Sequence, residues 1–515
     1  MRKNLYTVIC LLGLTVFLSC FMACNHTVSA NQKEAVGNPA SEVMPITGTW
    51  INLVYQDVRN KYTNPQHFDN TDPQMWEHKI KELSEMGVEY LVFMAIANEE
   101  KAYYPSRIMP WAYPENRKSP VEAIMDKAAE LNMKVFMSTG WAKDQDDDLR
   151  KPEIKQRQLE IMEELASIYG NHKALYGWYL PVEDCLCPIF ADHAVASVNT
   201  LTEKARSLTP GKKTLISPYG IAYSDFNHPD YEKQLAKLKV DIIAYQDEIG
   251  CVREQFPLPN LKKNWQRLRK IHDKLDIELW ANCETFTWEK GTNDRSSALI
   301  PAAYPRLLSQ QVAASLAPVD KIISFMICGI IENPESTYKL GQPVWSDKAY
   351  KDYMDWKNGD RYWRLLESSL TEKLVNSASP KMIKGNLQTL LDSKVAEENS
   401  KDNRWVKFEK GYHELIIDLG SKTHVQEIML RMLNYHLEEI GMPLKVYLFA
   451  SETGDNYRLV SIKDAPYFPN NNHDAWIDGI LFSAINENIR YIKVAFDAPQ
   501  QVYIDELFIN PTIKK

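Results

Sequence analysis

The stretch IELWANCETF, from Ile277 to Phe286, alternates side chains so that Trp280, Asn282 and Glu284 share one face of a strand that ends in a carboxylate. Seven comparable apolar runs stand around it: ITGTWINLVY from Ile46, VEYLVFMAIA from Val88, MKVFMSTGW from Met133, LYGWYLPVED from Leu175, KTLISPYG from Lys213, VDIIAYQD from Val240 and KIISFMICGI from Lys321. Each is followed by a polar stretch long enough for a helix. Strand and helix alternating eight times between Ile46 and Ile330 predict a (β/α)8 TIM barrel, whose active site lies at the C-terminal ends of the strands. Glu183, at the end of the fourth run, and Glu284, at the end of the seventh, then stand at one rim.

Helix signals fill the gaps between the runs. Asp72 and Pro73 open a segment in which Trp76, Ile80, Leu83 and Met86 recur at helical spacing, and Gly87 closes it. Val121, Ile124, Ala128 and Leu131 repeat the pattern before the third strand; Leu159, Met162, Leu165 and Ile168 do so before the fourth. Helices between the strands favour a parallel sheet over an antiparallel one; an open doubly wound sheet is the alternative, and eight units in about 285 residues fit a closed barrel better. From Ala349 to Leu366 one aromatic helix carrying Tyr353, Trp356, Tyr362 and Trp363 is expected against the outside of the barrel.

The first residues read as a targeting segment. Arg2 and Lys3 precede the apolar stretch Val8 to Ala23, and small residues stand before Cys20 and Cys24. This resembles the signal of bacterial lipoproteins, which implies acylation of Cys24, with Cys20 as the alternative, and a body held at the cell envelope only by its lipid. Residues 1–24 are then a signal, 25–45 a linker and 46–367 the barrel. Beyond the signal no apolar run reaches the ~20 residues of a membrane span. A net charge of -8, with no long basic run, argues against nucleic acid as a partner.

Five further cysteines, Cys185, Cys187, Cys251, Cys283 and Cys328, are odd in number and lack a paired Cys-x-x-Cys spacing. A disulfide such as Cys185 to Cys251, or a thiolate metal site, stands beside the plainer reading of small buried side chains.

Past Ser368 the pattern changes to short strands with turns: HELIIDLG, VQEIMLRML, LKVYLFASE, YRLVSI, RYIKVAF and VYIDELFIN. Residues 368–515 therefore read as an all-β sandwich. Leu391-Asp392, Arg404-Trp405, Ile417 to Gly420, Gly454 to Tyr457, Arg490 to Val494 and Ile504 to Leu507 carry a resemblance to the discoidin-like, or coagulation-factor C-type, galactose-binding fold. That resemblance implies glycan contacts on loop residues such as Tyr435, His436 and Trp476.

Two carboxyl groups at one barrel mouth suit glycoside hydrolysis, which needs one acid to protonate the leaving oxygen and a second carboxylate to attack the anomeric carbon or activate water. Here the chain resembles clan A glycoside hydrolases, and the resemblance implies Glu183 as acid/base and Glu284 as nucleophile. Val182 stands where that clan places an asparagine before the acid, and Asn282 or Gln246 is expected to take over its contact with the sugar. Tyr245, Gln246 and Asp247 at the end of the sixth run are further substrate-binding candidates, Asp247 being the rival for a catalytic role. Among the rim aromatics Trp50, Tyr103, Tyr104, Trp111, Trp141, Tyr219, Phe286 and Trp288, the loop residues Trp141 and Trp288 are favoured for stacking on sugar faces.

No metal or other cofactor is expected. None of the eleven histidines lies in a barrel run, no His-Glu-x-x-His or Gly-x-Ser-x-Gly motif occurs, and the loop after the seventh run lacks the glycines of a phosphate site. As a whole, the chain resembles a family of Bacteroidetes lipoproteins with glycosidase-like barrels and discoidin-like tails. Two readings follow: a cell-envelope, retaining glycoside hydrolase acting on an oligo- or polysaccharide, or a non-catalytic glycan-binding lipoprotein that uses the barrel as a scaffold.

Overall fold

The computed structural model describes residues 40–53, 61–62, 72–113, 117–140, 143, 147–251, 256–291, 296–377, 379–384, 387–466 and 475–515. Cys20, Cys24 and Trp141 lie outside them. Eight parallel strands close into a ring in chain order: β1 (Gly48–Ile51), β2 (Tyr90–Phe93), β3 (Lys134–Ser138), β4 (Leu175–Tyr179), β5 (Lys213–Ile216), β6 (Ile242–Gln246), β7 (Glu278–Glu284) and β8 (Lys321–Phe325), with β8 pairing back to β1. Helices α1 (Pro73–Glu85), α2 (Pro120–Glu130), α3 (Pro152–Tyr169), α4 (Asp192–Leu208), α5 (Tyr231–Leu235), α6 (Leu258–His272) and α7 (Tyr304–Leu316) connect successive strands. The predicted start of α1 is present in atomic detail: the Asp72 carboxylate accepts from the Gln74 and Met75 N–H groups, which no helical carbonyl reaches. Trp280, Tyr90 and Phe136 interleave edge to face inside the ring, filling it as a core.

The aromatic stretch after the barrel is two helices, not the single one expected from Ala349 to Leu366. α8 (Ser346–Lys357) stops at Asn358, Gly359 takes a left-handed φ of 82°, and α9 (Arg361–Leu370) starts anew. The Asp360 side chain caps α9 by accepting from the Tyr362 N–H at 3.0 Å.

The C-terminal region is a sandwich of two antiparallel sheets. One is ordered β9 (Lys381–Lys384), β11 (Gly411–Val425), β16 (Glu487–Ala498), β13 (Lys445–Ser451) and β14 (Arg458–Asp464). The other runs β10 (Val406–Phe408), β17 (Val502–Ile509), β12 (Ile428–Asn434) and β15 (Trp476–Phe482). Leu430, Met432, Ile480 and Leu507 of the four-stranded sheet face Leu415, Ile417, Leu448 and Val494 across the inner core. The other side of that sheet is buried as well: Met429, Leu433, Trp476, Ile477 and Phe508 join the core of the barrel and its helices. Trp476 is fully buried there, so it is not the loop contact for a glycan that the sequence suggested. Arg431 crosses this junction, pairing with buried Asp505 and donating to Ser369 of α9 and to the Ala396 carbonyl.

The same junction holds a carboxyl group with a pH signature. Asp478 is fully buried; its Oδ1 accepts from the Tyr362 hydroxyl and the Gly479 N–H, while its Oδ2 has no hydrogen-bond partner. Burial pushes its pKa up to about 6, against the opposing pull of the Tyr362 bond. The folded protein thus holds this proton more tightly than the unfolded chain, and the contribution to stability falls as pH rises from the ordinary carboxylate range through about 6. At ~1.4 kcal/mol per pKa unit the loss is at most roughly 3 kcal/mol. Asp478→Asn mimics the protonated group. Its melting temperature is expected to exceed that of the parent by several degrees at pH 7.5, and the gap should close by pH 4.5; an equal gap at both pH values would rule out this titration.

Candidate active site

A cavity of about 140 Å³ opens at the C-terminal end of the barrel. Its lining comes from seven strand ends and their loops: Trp50 from β1, Met94 after β2, Tyr179 and Glu183 from β4, Ser217 from β5, Gln246 from β6, Asn282 and Glu284 from β7, and Phe325 from β8. Alternation along β7 explains the last pair, since Trp280, Asn282 and Glu284 point inward at successive depths and only the outer two reach the cavity.

The polar side chains of the wall are tied to one another. Gln246 donates from Nε2 to the Glu183 carboxylate at 2.8 Å and to the Ser217 carbonyl at 3.0 Å. Asn282 accepts from the Trp50 indole N–H at 3.1 Å and donates to the Ser217 hydroxyl at 3.1 Å, which itself donates to the Ala244 carbonyl. Trp50 packs edge to face on Tyr179 with ring centroids 4.6 Å apart. Amides and rings are thereby held in one orientation before any ligand arrives.

The two carboxyl groups sit in different surroundings. Glu183 stands in the loop after β4 and is open to solvent, yet protein walls crowd it on the cavity side. That desolvation raises its pKa above the ordinary range, and the Gln246 bond pulls the other way. Glu284 is only 4% exposed, and its backbone is clamped: Asp247 accepts its N–H at 3.1 Å, while Arg306 and Gln310 of α7 donate to its carbonyl at 2.8 and 3.2 Å. Its side chain lies against Gly250, where an added Cβ would come within 2.6 Å of Oε2 and 2.7 Å of the Glu284 Cβ.

The structure brings Glu183, Glu284, Gln246 and Asn282 together and separates the other candidates from them. Tyr245 points outward from the barrel onto α6, where its hydroxyl meets His272 Nε2 at 2.8 Å, so it cannot touch a ligand in the cavity. Asp247 is buried behind β7. It accepts from Gln310, from the Glu284 and Ile249 N–H groups, and takes no part in the lining; burial raises its pKa, opposed first by the Gln310 bond. Trp288 lies on a short hairpin of Phe286–Trp288 with Leu299–Pro301, and its neighbour Phe286 faces the cavity instead. Trp50, one of the rim aromatics expected from the sequence, lines the site, and so do Tyr179, Ser217, Met94 and Phe325. Each was within reach of the same strand alternation that placed Asn282. Among the described residues Cys185, Cys187, Cys251, Cys283 and Cys328 form no disulfide, and no group of acidic, histidine or cysteine side chains could hold a metal.

Residues 46–338 match the family described as Domain of unknown function (DUF4434). The chain belongs to this family. The matched span contains every barrel strand and all the residues that line the cavity. No curated protein matches the chain. Among solved structures it is similar to a Bacteroides thetaiotaomicron protein described as a candidate alpha-L-fucosidase, at 18% identity over 64% of this chain and 98% of that one, with a TM-score of 0.47. It is also similar to a glycoside hydrolase family 5 protein of Bacteroides vulgatus, at 10% identity over 83% and 86% of the two chains (TM-score 0.38), and to a GH29 fucosidase of Ruminococcus gnavus, at 11% over 94% and 98% (TM-score 0.36). The strand order of the closed ring, independent of these likenesses, defines the fold.

Proposed function

We propose that this DUF4434 barrel is a glycoside hydrolase of the retaining type, with Glu183 as acid/base and Glu284 as nucleophile. The observation that supports it best is the convergence of these two carboxyl groups on one preorganised cavity, each in a distinct environment. Glu183, its pKa raised, is suited to carry a proton to the glycosidic oxygen. Glu284, fixed by its backbone, is suited to attack. In the first step the anomeric C–O bond breaks, its electrons go to the leaving oxygen with the Glu183 proton, and a Glu284 oxygen bonds the anomeric carbon. Water then adds at that carbon, gives a proton to Glu183 and releases Glu284. Asn282 and Gln246 offer amides to the sugar hydroxyls, and Trp50, Phe286 and Phe325 offer ring surface to its C–H faces. Trapping with a 2-fluoro glycoside and peptide mass spectrometry tests the assignment: the sugar is expected on Glu284, and a label elsewhere would sink it.

Gly250 provides an independent handle. Gly250→Ala places a methyl where the Glu284 side chain now lies, with the Phe286 carbonyl at 3.0 Å closing the other side. Displacing a reacting group by about 1 Å costs on the order of 10²-fold in rate. Turnover is expected to fall by that factor with an unchanged circular dichroism spectrum, and a fully active variant would show that Glu284 need not stay where it is.

At the cell, the protein is held on the envelope by a lipid on Cys24. Cys24→Ser is expected to move it from the membrane fraction to the soluble fraction; a variant that stays on membranes until Cys20 is also replaced would transfer the anchor to Cys20.

A further inference from the structure

Glu183 is shared by two spaces. On one side lies the cavity with Glu284; on the other a larger groove of about 460 Å³, lined by Asp147, Asp148, Arg150, Asp184, His193 and Ser197. Of the cavity's lining residues only Glu183 belongs to both. A group that protonates a glycosidic oxygen marks the bond that breaks, so the sugar attacked lies on the Glu284 side and the leaving group lies in the groove.

Size then fixes how the chain of sugars is divided. At about 140 Å³ the cavity lies below the ~300–1,000 Å³ of sites that take larger ligands, a size suited to one sugar residue rather than a chain. Across the ring from the β4 end stands Phe325 of β8, with Trp50 of the adjacent β1 beside it. The groove is three times larger and suits more than one residue.

Charge fixes what the leaving group can carry. Asp148 is held ionised by Arg150, which bonds it through Nε and Nη2 at 2.9 and 3.0 Å, its pKa drawn down to about 2. Asp184 accepts from the Cys185 N–H and meets His193 Nε2 at 2.8 Å. With Asp147 the groove sets three carboxylates against the Arg150 guanidinium and the His193 ring, a lining richer in acceptors than in cations that favours hydroxyl or ammonium protons over a uronate or sulfate.

We infer that the protein is exo-acting: it takes one terminal sugar into the cavity and holds the rest of a neutral or amino-bearing saccharide, as leaving group, in the acidic groove. This rests on the assignment of Glu183 and Glu284 given above.

The test uses the intact protein and a panel of reducing-end-labelled neutral oligosaccharides, with the 4-nitrophenyl glycosides of their terminal sugars in parallel. The label stays with the leaving group. Exo action shortens the labelled chains one residue at a time and releases only unlabelled monosaccharide. His193→Ala and Arg150→Ala are expected to lower the preference for oligosaccharide over nitrophenyl glycoside about tenfold, chiefly through KM, because each removes a polar partner of the longer leaving group. Oligosaccharides with a uronic acid next to the scissile bond should be cleaved at least about tenfold more slowly than neutral ones. Unlabelled oligosaccharides among the first products would overturn the exo assignment while leaving the two glutamates in their roles. Equal rates on neutral and uronate-bearing chains, or an unaltered preference in both variants, would overturn the groove as the leaving-group site. Failure to cleave any member of either panel would instead overturn the hydrolase reading, and this inference with it.

Discussion

Glu284→Ala is expected to lose essentially all turnover, on the order of 10⁴-fold or more, on every substrate the parent cleaves. The reason lies in the step it removes: with no carboxylate at the anomeric carbon, no covalent intermediate forms, and the remaining binding groups cannot replace it. Glu183→Ala should behave differently. General acid catalysis contributes roughly 10²–10⁴-fold, and the need for it scales with the basicity of the leaving group. The variant should therefore fail on oligosaccharides and retain formation of the intermediate from dinitrophenyl glycosides. Added azide, which needs no base to activate it, should then restore turnover and yield the glycosyl azide. The pair of glutamates is distinguished by this asymmetry alone, measured as a leaving-group series in each variant. Equal losses independent of leaving group would remove the roles assigned, and full activity in either variant would remove that residue from the site.

The sixth strand shows both what a local pattern encodes and what it cannot. VDIIAYQD offers three consecutive candidates, Tyr245, Gln246 and Asp247, yet side chains on a strand alternate, so adjacent residues cannot share its inner face. Gln246 faces in and bonds Glu183; Tyr245 faces out to His272. Applied strictly, the same period of two that located Glu284 and Asn282 would have excluded Tyr245. Asp247 was a harder case, because it lies past the end of the strand, and its place behind β7 depends on Arg306 and Gln310 sixty residues later in the chain. No local pattern encodes such a contact. The strand at Trp476 is hidden in the sequence for another reason: WIDGILF is buried along nearly all its length, with the sandwich core on one side and the barrel helices on the other, so the polar alternation that marks a half-exposed strand is absent. The break between α8 and α9, in contrast, was written locally in Asn358, Gly359 and Asp360.

Arg306 carries the second large effect. A cation in the first turn of a helix opposes the helix dipole, so its position in α7 is unfavourable on local grounds. The compensation is tertiary. Its guanidinium, 1% exposed, donates to the carbonyls of Ile249, Glu284 and Phe286 at 3.3, 2.8 and 3.0 Å and offsets the charge of buried Asp247. One side chain thus joins the loop after β6, the end of β7 and the start of α7, the three segments that seat the Glu284 carboxylate. Arg306→Met keeps most of the volume and removes the charge and the donors. Leaving three buried carbonyls without their charged donor costs roughly 3–5 kcal/mol, which in a chain of this length corresponds to a drop of roughly three to five degrees in a thermal melt. Below that lowered transition, kcat is expected to fall about 10²-fold with KM nearly unchanged, because the Trp50, Asn282 and Gln246 contacts persist while the nucleophile shifts. Arg306→Lys should recover part of the thermal stability through its charge and little of kcat, since an ammonium cannot span three carbonyls as the planar fork does. A lysine variant with parental kcat would mean that charge alone seats Glu284, and a methionine variant with parental kcat would make Arg306 a strut for the fold with no bearing on the site.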